Sequence, residues 1–597
     1  MTKRKWVLLA FIFAFVPKLI MSMFLFPYSI FDECGTVASA AYMAGYDWSA
    51  VLAKSSAYFG FGYYILFTPV FLITDNPYII YKIIVCGNVF LHALSAVLSF
   101  QVMEYIFPEI DYKKKCVFSI MLSYLTVVTT VAMNETPVIF LVWVCVLLGV
   151  KIICENTGKR NLYILFLELM LAWGLTIHTR LILLPIVIVF FSALYRMIWK
   201  QKFLSWFDFF CLSGLCILSR YVVKIFQKQL WVSNGTEGLK NASIDAGAFI
   251  TRFDFTDIET WDVFCKIFVG QIGTATVFSG GLFLVCLFAL VFYFVRMIRD
   301  RQLGQIKNKI IFMVFGICII CILSTVAGQM ITWGNQTLEA INNNKEGHEI
   351  YKVFTYIRYF APYMGPLILC GLGIINDNNE MVKKLVPYIV SAFICLEYIW
   401  IKLVLPYVEE VNLAGEEFMF FANRRPRERV NYYYAFIWLN TFLFVFIYCV
   451  YKNITIRYIY IVCIMLVLNF GYKVYFCNRA YAIEKTNGIP CCYELVKKIE
   501  NELNIENLKI YAEGYDSLRL QFYLNRYPIH SIGEVEGKNN NLIFYQGTID
   551  QEILRELEQY DISWFCANID EQGYVIVSKD VAVKMVDNMN LVFEELK

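Results

Sequence analysis

Charge is what this chain has least of. Only 17% of its 597 residues are Asp, Glu, Lys or Arg, against about a quarter in a soluble protein. That shortage excludes a soluble enzyme of ordinary make-up. Histidine is rarer still, with four in the chain. His92, His348 and His530 stand alone and form neither an HExxH pair nor a triad. Nineteen cysteines are present, but Cys86, Cys145, Cys154, Cys286, Cys318 and Cys321 lie in apolar runs, where they read as small core hydrophobes. No CxxC pair of metal-site spacing falls in a soluble segment. No Gly-rich phosphate loop follows any strand-like stretch, which argues against a soluble nucleotide. The net charge of +3 gives no reason to expect nucleic acid. Internal repeats and low-complexity segments are absent as well.

What the chain has instead is apolar surface. It is 59% hydrophobic and 17% aromatic, with a mean hydropathy of +0.56. No core hides so much, so lipid must solvate much of it. A membrane helix needs roughly 20 apolar residues. The first run, Trp6 to Phe26, follows Lys3-Arg4-Lys5 and has no small-residue cleavage site, so it reads as an uncleaved signal-anchor. Twelve more spans follow at 78–103, 116–133, 138–153, 161–178, 181–199, 206–226, 268–295, 310–329, 356–375, 385–404, 433–451 and 457–476. Thirteen crossings from a cytoplasmic N-terminus put Lys113–Lys115, Lys159-Arg160, Lys200/Lys202, Arg296 to Lys309 and Lys383-Lys384 inside, as the positive-inside rule requires. Arg424, Arg425, Arg427 and Arg429 break the rule by falling outside. The apolar but short stretch Gly60 to Ile73 reads as a helix lying on the outer surface, within a long first external loop, 27–77.

From residue 477 charge rises and apolar runs stop. Strand-like stretches at 508–511, 542–545 and 574–577 alternate with helix-like ones at 517–525 and 550–559. The expected fold class is therefore an α-helical polytopic membrane protein, 1–476, followed by an extracytoplasmic α/β domain, 477–597.

Two carboxylates stand just after the first span, in Ile30-Phe31-Asp32-Glu33-Cys34-Gly35. A short helix closed by Gly45 follows, then Tyr46-Asp47-Trp48. Taken alone, Asp32 and Glu33 read first as caps of that helix in water. The pattern D-E-x6-A-x4-G-x-D-W directly after the first span resembles the GT-C-type glycosyltransferases, among them the aminoarabinose transferases and the protein O-mannosyltransferases. The resemblance extends to the topology along most of the chain. It implies an enzyme that moves a sugar from a polyprenyl-phosphate-linked donor to a lipid, glycan or protein acceptor outside, by inverting displacement. By position it implies that Asp32 is the general base, with Glu33 beside it. A base for the acceptor proton and cations for the leaving phosphate are what such a transfer needs. The sequence departs from the pattern at Lys54 to Tyr64, which lacks the Lys-Pro-Pro-Leu-type segment of the aminoarabinose transferases, and the His-Pro-Pro element of the mannosyltransferases is absent too. Neither substrate is inherited.

Second-rank candidates share the outer side. Glu135, in Asn134-Glu135-Thr136-Pro137, matches a second carboxylate often found in related enzymes, or lies at an ordinary helix start. Phosphate contacts call for Arg or Lys near the surface. Arg180, Arg358 with Tyr359, Lys54, and Arg424 with Arg425 qualify, although boundary arginines also simply snorkel. Asp32 and Glu135 leave a divalent metal open, since hard cations take carboxylate oxygens; several relatives work without one. Two rival readings stand beside the transferase: a polysaccharide polymerase or ligase, and a flippase or transporter of lipid-linked glycans. Low arginine relative to lysine, with the resemblance, leans toward a bacterial cell membrane.

Overall fold

The structure, a computed structural model, describes residues 2–27, 32–52, 60–125, 130–155, 158–230, 255–408, 432–484, 488–503, 508–535, 540–547, 549, 551–560, 562–569, 573–589 and 591–596. Helix dominates, as it must where the bilayer offers the backbone no hydrogen-bonding partner. Ten helices among the described residues are long and apolar enough to cross a membrane. The chain is an integral membrane protein. The other three expected spans, 116–133, 356–375 and 457–476, meet shorter helices: Tyr112–Tyr124, Ala361–Asp377, and the apolar Thr455–Gly471 part of Thr455–Glu484. That last helix also runs past the expected domain boundary at 476. The stretch from Gly60 to Ile73 forms a 3-10 turn, Tyr64–Phe67, and a helix, Thr68–Ile73. Together they are too short to span a core about 30 Å thick, and Leu66, Leu72 and Ile73 stay exposed.

One expected span, 268–295, is broken. Ile258–Phe278 and Leu282–Arg299 are separate helices. Between them Gly280 and Gly281 take φ of 59° and 84°, a left-handed turn that favours glycine. A Cβ on Gly281 would press on the Phe393 ring at 2.9 Å. The Tyr458 hydroxyl donates to the freed Gly280 carbonyl at 2.9 Å. Both halves still run antiparallel to the long helix Ile306–Asn342. Asn342 bonds Glu259, Gln271 bonds Gln329, and Tyr293 bonds Asn308, so each step forward along one is matched by a step back along the other.

Basic clusters gather at one end of the bundle. Lys3 and Lys115 both bind Glu104, Lys307 bridges Glu109 and Asp377, Lys309 reaches Gln201, and Arg160 donates to the Lys202 and Phe203 carbonyls. The helix Glu135–Cys154 has 20 residues, which rise about 30 Å, so Glu135 lies at the opposite end.

That opposite end carries the sheet domain. Its strands are β1 (Lys509–Glu513), β2 (Ile529–His530), β3 (Asn541–Gln546), β4 (Trp564–Asn568), β5 (Gly573–Ser578) and β6 (Glu594–Glu595), ordered β2-β1-β3-β5-β4-β6. β1 pairs parallel with β2 and β3, and the remaining pairs are antiparallel. Its helix Ser517–Tyr523 packs on the loop that follows the first span. The Phe522 ring meets Trp48 and Tyr81, each with centroids 6.0 Å away, and Trp48 Nε1 donates to the Asn525 carbonyl at 2.9 Å. Asp75 pairs with Lys497 at 2.7 Å and Arg526 at 3.3 Å. Burial pushes the Asp75 carboxyl up, but these two cations outweigh it and hold the pKa below the usual 3.8. A depressed carboxyl pKa stabilises above the unfolded value and loses that contribution as pH falls through the folded one. The domain contact is therefore expected to loosen below about pH 3.8. Asp75→Ala should mimic this at neutral pH, costing about 1 kcal/mol. Hydrogen exchange should speed up in both Ser517–Tyr523 and Glu33–Met43; unchanged exchange would show that the pair holds nothing.

Candidate functional site

Asp32 begins the helix Glu33–Met43, its carbonyl accepting from the Thr36 N–H at 3.2 Å. The helix ends as expected. Gly45 has φ +92°, and Tyr46 N–H reaches back to the Ala41 carbonyl at 3.0 Å. The Asp32 side chain, however, makes no cap hydrogen bond. Its Oδ2 accepts from Arg358 Nη1 at 3.1 Å, 326 residues away. Glu135 behaves alike. It opens the helix Glu135–Cys154, yet its Oε1 accepts from Arg358 Nε at 2.7 Å and Arg180 Nη2 at 3.3 Å. The cap reading of Asp32 therefore fails on geometry, while Glu135 does stand at a helix start but spends its carboxylate on the two arginines.

Two carboxylates and two guanidiniums thus form one charge-balanced cluster, most of it sealed from water. The Glu135 side chain is 2% exposed, Arg358 10%, Arg180 13% and Asp32 27%. Burial raises the Asp32 carboxyl; Arg358 lowers it, Glu135 raises it again, and the net is above the ordinary 3.8. Three buried polar atoms of the cluster lack a hydrogen-bond partner among the described residues: Glu135 Oε2, Arg180 Nε and Arg180 Nη1. Buried guanidinium N–H groups without acceptors are costly unless a ligand supplies them. Phosphate and carboxylate oxygens are the acceptors that guanidinium N–H groups bind most strongly.

Glu33, adjacent in sequence, points elsewhere. It is fully buried, and its Oε1 accepts from the Tyr81 hydroxyl at 2.8 Å and the Ala132 N–H at 2.6 Å. Thr36 Oγ1 donates to the Ala132 carbonyl and Asn88 Nδ2 to that of Val131. These bonds strap residues 131–133, which lead into Glu135, to the helix that Asp32 begins and to Asn88. Glu33→Ala orphans the Ala132 N–H and should cost about 1–3 kcal/mol of stability. Thermal unfolding of the purified variant checks this, and a wild-type melting temperature would contradict it.

An aromatic wall borders the charges. Arg180 lies over the Tyr359 ring, 4.9 Å from its centroid. Trp333 stacks on Tyr359 at 5.9 Å and meets Tyr356 edge-on at 5.5 Å; Tyr356 and Tyr359 are 5.0 Å apart. The Tyr356 hydroxyl accepts from Arg358 Nη1 at 3.2 Å. His178 Nδ1 accepts from the Arg180 backbone N–H at 3.2 Å, and its ring packs against Tyr359.

No protein-family model matches the sequence, and no curated protein does either. Solved structures do match in shape. ArnT from Cupriavidus metallidurans in the apo state superposes with TM-score 0.50 at 12% identity, covering 96% of each chain. The same protein bound to undecaprenyl phosphate gives 0.48 at 13%, covering 96% of this chain and 97% of that one. The archaeal oligosaccharyltransferase AglB from Archaeoglobus fulgidus, in complex with an inhibitory peptide and a dolichol-phosphate, gives 0.40 at 10%, covering 100% of this chain and 74% of its own. The chain has the GT-C fold.

On this GT-C frame, four of the sequence candidates, Asp32, Glu135, Arg180 and Arg358, meet directly, and Tyr359 stacks beside them. Glu33 is one residue away but serves the strap. Lys54, Arg424 and Arg425 lie outside the described residues. Among the described residues no three His, Cys, Asp or Glu side chains converge as a metal site. Asp32 and Glu135 are bridged by the Arg358 cation, which does not suit a divalent ion between them. Sequence reasoning missed Trp333, Tyr356, Tyr81 and Asn88. In a chain with 40 tyrosines and 12 tryptophans, aromatic identity alone marks none of them.

Proposed function

We propose that this protein is a glycosyltransferase that moves a sugar from a polyprenyl-phosphate-linked donor to an acceptor hydroxyl or amine outside the cytoplasm. The observation that carries the reading is the buried cluster of Asp32, Glu135, Arg180 and Arg358, with guanidinium N–H groups open to an anion. The GT-C fold and the acidic motif after the first span support it. The basic loops gathered at the other end of the bundle support a site on the outer side, by the positive-inside rule.

In this reading Arg180 and Arg358 hold the donor phosphate, and Glu135 fixes both guanidiniums. The acceptor attacks the anomeric carbon while Asp32 takes its proton. The bond from that carbon to the phosphate oxygen breaks, and its electron pair leaves with polyprenyl phosphate, whose charge the two arginines stabilise. One displacement inverts the anomeric centre. Glu135 is a positioning residue here.

Membranes holding the full chain, given a radiolabelled polyprenyl-phosphate sugar, should release free polyprenyl phosphate and label an acceptor. Donors that all survive intact would sink the proposal. The acidic limb of kcat/KM should fall above pH 3.8, because the group that must be ionised has a raised pKa. A limb at or below that value would rule out Asp32 as the group titrating.

A further inference from the structure

We propose that Trp333, Tyr356 and Tyr359 form a platform for the ring of the donor sugar, an uncharged pyranose, with Trp333 as the main specificity determinant. This rests on the lipid-phosphate-sugar reading above. The trio touches both cations assigned to the phosphate, Arg180 through the Tyr359 ring and Arg358 through the Tyr356 hydroxyl. A sugar esterified to that phosphate has its ring one bond beyond it, which is where the aromatic wall stands. Helix Ile306–Asn342 has 37 residues and rises about 55 Å, well beyond a core about 30 Å thick. Trp333 belongs to its projecting turns and is half-buried.

The chemistry suits a carbohydrate. A pyranose offers an apolar C–H face to a ring and hydroxyls to the polar edge. Tyr359 is covered by Arg180 and by Trp333, so the indole and Tyr356 are left to meet a ligand. The Trp333 Nε1 makes no hydrogen bond among the described residues. The carboxylates that act on Tyr356 and Tyr359 are Asp32 and Glu135. Each is ion-paired to Arg358 or Arg180, so the cluster beside the wall carries no net negative charge among the described residues to favour an ammonium on the sugar.

The test uses the full chain in lipid nanodiscs. Its probes are undecaprenyl phosphate and undecaprenyl-phosphate-linked pyranoses, some neutral and some amino-substituted. Wild type should bind at least one neutral sugar-lipid about tenfold more tightly than the bare lipid phosphate, since each 1.4 kcal/mol of stacking is worth that factor. Trp333→Ala should remove this preference and change bare-lipid affinity less than about twofold; Trp333→Phe, which keeps an apolar ring, should restore most of it. A Trp333→Ala variant that keeps the preference would overturn the platform alone. So would one that loses both lipids equally, which marks a structural role. A preference for amino sugars would overturn the uncharged assignment. Wild type that binds none of these lipids would overturn the underlying reading and the platform with it.

Discussion

Asp32→Asn should cut sugar transfer by about 10²–10⁴-fold, the usual contribution of a positioned base. Donor affinity and the melting temperature should stay near wild type. Asn keeps the shape of Asp and leaves an oxygen for Arg358 Nη1, now 3.1 Å from Oδ2, so the cluster does not collapse. Arg358 also keeps its stronger bond to Glu135 at 2.7 Å. What disappears is the capacity to accept the acceptor proton. The contrast with Glu33→Ala is diagnostic. That neighbour should lose stability first, because its partners are the Tyr81 hydroxyl and the Ala132 N–H. Transfer within tenfold of wild type by a well-expressed Asp32→Asn protein would remove Asp32 from the chemistry.

Arg358→Met should damage both folding and donor binding. Among the described residues Arg358 alone bonds both Asp32 and Glu135. Without it a carboxylate that is 2% exposed keeps Arg180 at 3.3 Å as its remaining described ion-pair partner. Breaking a buried pair in this way costs about 3–5 kcal/mol. The partly exposed Asp32 can recruit water, so the lower part of that range is expected. Donor affinity should fall further than stability, since a phosphate contact is lost outright. The surviving activity should show its acidic limb at higher pH, because Arg358 lowers the Asp32 pKa and its removal leaves burial and Glu135 unopposed. Arg358→Lys should recover stability more than affinity, as an ammonium cannot reproduce the fork. Wild-type melting and wild-type donor affinity in Arg358→Met would contradict the assignment of the cluster.

Hydropathy made the membrane bundle legible because apolar runs of sufficient length have few other uses. It was blind to the break at Gly280-Gly281, since two glycines barely change the hydropathy of 268–295. The strands at 508–511, 542–545 and 574–577 stood out as β-branched and aromatic runs. β4, Trp564–Asn568, did not, because Cys, Ala and Asn dilute the signal in five residues. Sidedness placed Asp32, Glu135, Arg180 and Arg358 on one face, yet could not bring them within bonding distance. Contacts across 223 and 326 residues depend on helix packing that no local pattern encodes. Only the resemblance separated Asp32 from Glu33; the local pattern could not. Successive residues point about 100° apart at a helix start, and the register of that one turn decides which carboxylate faces the arginines and which faces Tyr81.

The most direct measurement is a cryo-electron microscopy structure of the full chain in nanodiscs with a polyprenyl-phosphate sugar bound. The account predicts the phosphate within hydrogen-bonding distance of Arg180 and Arg358, with the anomeric carbon facing Asp32. A phosphate seated elsewhere, with the four charged side chains closed on one another and the lipid distant from Asp32, would contradict it.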